Sequence, residues 1–157
     1  MMSLQFPLPE FQFPLRVYIE DTDGGGIVYY VNYLKFMERA RTEFLCDLGF
    51  EHYLHAEEDF MFVVRGADIR YFQPARMDDA LTVSTQVQSL GRASLVFSQE
   101  VRRADITLAA GTIDIACVKR SDLKPRALPE RLKVLLKLRY GHAVGNPPKL
   151  RKLRALS

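Results

Sequence analysis

From about Val28 to Leu48 apolar side chains recur at helical spacing: Val31, Leu34, Met37, Phe44, Leu45 and Leu48 lie three to four residues apart or in whole turns. The stripe is wider than a surface helix needs, so the segment predicts a helix enclosed by the rest of the fold. Gly49 supplies a stop. Beyond it the period changes. Residues 61–72, 80–90, 93–103 and 106–119 read as strands; Leu81, Val83 and Val87, then Leu95, Phe97 and Val101, alternate with polar neighbours. Gly91-Arg92 and Ala104-Asp105 fit hairpin turns, and Gly111 inside the last strand predicts a bulge. Pro129 opens a final helix of about ten residues carrying Leu132, Leu135 and Leu136. Upstream, Leu15, Val17 and Ile19 alternate with Arg16, Tyr18 and Glu20 as a short strand, after an extended arm with Phe6, Phe11 and Phe13 between prolines. One long apolar helix followed by hairpin-linked strands predicts an α+β fold, an antiparallel sheet wrapped around the helix.

The 157 residues suit one domain, divided as an arm (1–13), a body (14–140) and a basic tail (141–157). At 48% hydrophobic the core needs no disulfide or structural metal, and Cys46 and Cys117 stand in no ligand pattern. No apolar run approaches the roughly 18 residues of a transmembrane segment, and the N-terminus lacks the marks of a signal peptide. A reduced, cytoplasmic protein is expected. Charge is lopsided: the last 39 residues hold 12 of the 22 Lys and Arg but only two acids. Such an end suits an acidic carrier protein or an anionic membrane, and a non-catalytic module docking through it is the second functional reading. Nucleic acid is disfavoured, because no aromatic residue interleaves with these charges.

Chemistry concentrates in Asp21-Thr22-Asp23-Gly24-Gly25-Gly26-Ile27-Val28-Tyr29-Tyr30. Two carboxylates and no Gly-Lys-Ser/Thr rule against a phosphate loop. Counted from Asp21, Gly25 at position five and Asn32 at position twelve break a calcium loop. The plain reading is a strand-to-helix turn with Asp23 capping the helix. The functional one pairs a carboxylate with a helix N-terminus, whose free N–H groups can polarise a carbonyl and hold an oxyanion. The carboxylate serves as nucleophile or as general base for water. That combination hydrolyses or transfers an acyl group without serine, histidine or metal.

The run Val17 to Asp23, then Gly26-Ile27-Val28-Tyr29, Asn32-Tyr33-Leu34, Phe36 and Glu38-Arg39-Ala40-Arg41-Thr42-Glu43 resembles the hotdog-fold acyl-CoA thioesterases. It is most similar to the branch encoded with the Tol-Pal envelope system, related to 4-hydroxybenzoyl-CoA thioesterase. Tyr71 to Asp79 and Lys124 to Pro129 also resemble that branch. The resemblance implies a five-stranded antiparallel sheet around one long central helix, assembled as a homodimer or homotetramer. It implies hydrolysis of acyl-CoA to free acid and coenzyme A, with no cofactor beyond the coenzyme A of the substrate. Asp23 matches the family's catalytic carboxylate, and Tyr30 the position whose backbone N–H polarises the thioester carbonyl. Much of the branch has histidine there; the hydroxybenzoyl enzyme has tyrosine.

Around these, Gly26, Val28, Tyr29 and Tyr71 are candidates to line the substrate site. Arg92, Lys124 and Arg126 sit at predicted turns, where they are candidates for coenzyme A phosphates. Asp21 is expected to shape the turn, and Glu38–Arg41 and Arg39–Glu43, one helical turn apart, read as surface pairs. His52, His55 and His142 belong to no triad spacing.

Overall fold

A computed structural model describes residues 10–50 and 57–140. Phe6, His52, His55, His142 and the basic tail lie outside the described residues. The order of elements is β1 (Phe11–Arg16), a 3-10 turn (Ile19–Asp21), α1 (Asn32–Asp47), β2 (Met61–Tyr71), β3 (Ala80–Leu90), β4 (Ser94–Arg103), β5 (Ile106–Val118) and α2 (Glu130–Tyr140). The strands form one five-stranded sheet in the order β1-β3-β4-β5-β2, every pairing antiparallel. Among the described residues no helix is long and apolar enough to cross a membrane.

α1 lies against one face of the sheet. Its Phe36, Met37, Ala40 and Phe44 are fully enclosed with Val83, Val101, Leu108 and Ile113. Aromatic edges lock the layers, Phe44 meeting Phe97 at 5.5 Å and Phe11 at 6.0 Å between ring centroids. Gly49, at φ +85°, ends the helix as expected. α2 follows Pro129 and buries Leu132 and Leu136.

Four of the strand expectations hold to within a residue or so, but the start of the chain differs. The first strand begins at Phe11, within the expected arm, and ends at Arg16, where Leu15 to Glu20 was expected. Pro14 is accommodated because β1 is an edge strand, pairing only with β3. Tyr18 N–H donates to the Asp21 carboxylate at 2.8 Å, bending the chain into the 3-10 turn and leaving Ile19 exposed. Nor does Gly111 mark a bulge. It pairs in register with Ile69 and Gln99, while the irregularities fall at Val64/Gly66, Val87/Ser89 and Val101/Arg102. Glycine is needed there because a Cβ would stand 2.6 Å from the Asp68 carbonyl oxygen.

Candidate active site

α1 starts at Asn32, four residues later than the periodicity predicts, because the preceding residues are bonded elsewhere. Val28 bridges Thr22 and Ile27 bridges Arg76, while Tyr29 N–H donates to the Asp21 carbonyl at 3.1 Å. Residues 21–29 therefore form a small hairpin folded back on the helix start, with Gly26 at φ +76° in its turn. Asp21 is buried and its carboxylate shapes the turn, as expected. Its carbonyl oxygen also accepts a 2.7 Å hydrogen bond from the Asn32 side chain, which latches the hairpin to the first residue of α1.

Asp23 does not cap α1: the residue preceding the helix is Val31, and no side chain bonds there. The Asp23 side chain is exposed. One carboxylate oxygen accepts the Gly25 N–H at 2.9 Å; the other has no hydrogen-bond partner among the described residues. The N–H groups of Tyr30 and Val31 likewise have no acceptor among the described residues. Asp23 and Tyr30 thus share one loop but stand at opposite ends of its hairpin. Asp23 sits opposite Ile27, and beyond the rungs Thr22–Val28 and Asp21–Tyr29 the chain runs three residues, roughly 10 Å of strand, from Ile27 to Tyr30.

Beside the helix start lies a cavity of about 230 Å³, lined by Val28, Tyr30, Tyr33, Tyr71 and Phe72 with Gln73 and Pro74. Asp23 is not on its wall. Tyr71 donates from its hydroxyl to the Tyr30 carbonyl at 3.3 Å and meets the Tyr30 and Tyr33 rings edge-on. The Tyr33 hydroxyl accepts the Ala75 N–H, and burial pushes its phenol up. Val28 is buried with its N–H on the Ala75 carbonyl; Tyr29 is exposed against Tyr30. Asn32 and Tyr33 were legible only as part of the family-like run, not as a latch and a wall.

The cationic candidates lie elsewhere. Tyr71 pairs with Ala109 near the start of β5, whereas Arg126 N–H bonds Cys117 at its far end. The eight residue steps from Ala109 to Cys117 span about 27 Å. Arg92 and Lys124 share that far end: the Arg92 carbonyl accepts from Leu128, and the Lys124 carbonyl from Lys119. Within one chain none of the three approaches the helix start. Arg126 is moreover engaged, donating to the Asp59 carbonyl and the Glu58 carboxylate while its guanidinium lies over the Phe60 ring.

Replacing Asn32 by Asp keeps the volume but sets a carboxylate against the Asp21 carbonyl. Stability should fall by about 1–3 kcal/mol, seen as a lower urea midpoint. Because the latch positions the loop, kcat should fall more than KM rises. An unchanged midpoint and kcat would show that the hairpin does not depend on the latch.

Comparison with known proteins places this architecture. Residues 25–110 match the family model described as the thioesterase superfamily. The chain is 44% identical over 124 residues to a Haemophilus influenzae protein named acyl-CoA thioesterase YbgC, covering 78% of this chain and 91% of that one. It is 43% identical to the acyl-CoA thioester hydrolase YbgC of Escherichia coli O6:H1, covering 78% and 92%. The crystal structure of a probable thioesterase from Bartonella henselae superposes with a TM-score of 0.73 at 38% identity, covering 77% of this chain and all of that one. With an antiparallel sheet laid around one long helix and an acidic loop at its start, the chain belongs to the thioesterase superfamily and is a thioester hydrolase.

Proposed function

We propose that the chain hydrolyses acyl-CoA to a carboxylic acid and coenzyme A at the start of α1. What carries the reading is the pairing, on one latched loop, of an exposed carboxylate with two N–H groups, one of its oxygens and both N–H groups having no partner among the described residues. The thioester carbonyl oxygen takes the Tyr30 N–H, where the first turn of the helix adds partial positive charge. Asp23 then acts on the carbonyl carbon as nucleophile or through a water. In the water route Asp23 activates a water that attacks the carbonyl carbon. Asp23 takes the water's proton as its oxygen bonds to carbon. The oxyanion forms against the Tyr30 N–H, and collapse expels the thiolate, which recovers the proton. Gly26, Val28 and Tyr29 shape the approach, and Tyr71 walls the aromatic cavity.

The position of Arg92, Lys124 and Arg126 supports a two-chain site. β2 is an edge strand whose outer side has no partner among the described residues. Antiparallel pairing of two β2 edges would bring the Tyr71 end of one chain beside the Met61 end of the other. Lys124 and Arg126 occupy that end. A homodimer therefore places cationic turns of one protomer beside the helix start of its partner, where coenzyme A phosphates would lie. The full chain should release free thiol from acyl-CoA and sediment at no less than twice 18.0 kDa. Absence of thiol release across short, long and aromatic acyl groups would overturn the activity; a monomeric mass with full turnover would overturn the shared site.

A further inference from the structure

About 15 Å along α1 from its start, one face of the helix stands over the sheet with a cavity of about 110 Å³ between them. The roof is Glu38, Arg41, Thr42 and Leu45, at successive helical positions on one side. The floor is apolar: registers set Val64, Ile115 and Leu95 side by side on β2, β5 and β4, with Phe62 and Phe97 flanking them. The cavity lies beside the β2 edge, where Val64 is 55% exposed.

Arg41 is the anomaly. It is only 9% exposed, yet no carboxylate lies within ion-pair distance of it among the described residues. One of its five N–H donors is used there, Nη1 donating to Gln99 Oε1 at 2.9 Å. Gln99 is itself pinned, its Nε2 donating to the Met37 carbonyl and the Thr85 hydroxyl, so the guanidinium is held rather than free to swing outward. Burial pulls the Arg41 pKa down, and the charge of Glu38 opposes that shift. A fixed, buried cation with unspent donors above an apolar floor is complementary to an apolar group that ends in an oxygen.

We propose that this cavity receives the far end of the substrate's acyl group and that Arg41 selects acyl groups bearing an uncharged oxygen there. It deepens the thioester-hydrolase reading and rests on it. An engineered cavity of about 150 Å³ admits benzene, so this volume suits the last few carbons of a chain rather than all of it. Glu38 and Thr42 on the same face favour a hydroxyl, which can accept from Arg41 and donate to either, and disfavour a second carboxylate.

The test compares matched thioesters of ten, twelve and fourteen carbons, long enough to reach the cavity from the helix start, each unsubstituted, ω-hydroxylated or ω-carboxylated, on the wild-type chain and on Arg41→Met and Arg41→Lys. The readout is the ratio of kcat/KM within a length, not the absolute rate. Wild type should prefer the hydroxylated member at its best length by about ten- to a hundredfold, the range for a hydrogen bond from a charged donor. That preference should collapse in Arg41→Met and shrink in Arg41→Lys. No preference in wild type, a preference for the carboxylated member, or one that survives Arg41→Met would overturn the proposal. Binding of the free ω-hydroxy acids to wild type, followed at the Arg41 Nε–H resonance by NMR, decides the matter independently of turnover or of a variant's folding. A shift with the hydroxy acid and none with the unsubstituted acid supports the selection; no shift with either overturns it. Failure of every thioester to turn over, beside a positive binding result, would instead sink the hydrolase reading alone.

Discussion

Asp23→Asn should lower kcat for thiol release by about 10²–10⁴-fold, the contribution of a positioned carboxylate acting on a proton or carbon. The substitution isolates chemistry from structure because of how the side chain is held. The oxygen that accepts the Gly25 N–H at 2.9 Å has a counterpart in the asparagine carbonyl, so the turn keeps its bond. What is lost is the charge on the second oxygen, which supports no part of the fold among the described residues. Unchanged thermal unfolding with lost turnover is the expected pair of results. Turnover within tenfold of wild type would remove Asp23 from the reaction and leave the helix start without its acid.

Phe44→Ala should be the most destabilising single change in the core. The ring is fully enclosed, meeting Phe97 on β4 and Phe11 on β1, so it joins the helix to both the centre and the edge of the sheet. A buried Phe cut to Ala loses about 3–5 kcal/mol. For a domain near this size that is a fall of about 6–20 °C in the midpoint of thermal unfolding, at fixed protein concentration. A fall of less than about 2 °C would mean that the ring is not enclosed.

The strands were readable because alternation is a local signal: each side chain's face follows from its parity between irregularities, and β4 alternates buried and part-buried residues unbroken from Ser94 to Val101. The helix start was not, since the bonds that hold Ile27 to Tyr29 come from Arg76, Thr22 and Asp21 rather than from neighbours along a helix. Arg41 escaped for a related reason. Beside Glu38 it looks like half of a surface pair, and the partner that holds it inside is Gln99, 58 residues away. The turns carrying Arg92, Lys124 and Arg126 are legible as turns, but residue types do not say which end of the sheet they occupy. Strand direction alone could have supplied it, because each hairpin reverses the chain, and the turns after β3 and β5 must therefore share one end. The acidic loop was legible as a motif. The orientation of its carboxylate depends on the fold-back around Gly25 and Gly26, which residue types do not specify.

Pro14 has a consequence for growth. The sheet has two lateral borders, β1 and β2, and the proline strips one N–H from the first. A border lacking a donor is a poor template for another strand, while the opposite border keeps its full row. Were chains to meet through their β2 borders, only the blunted ones would be left to offer, and such a ribbon would stop at two copies instead of lengthening into a fibre.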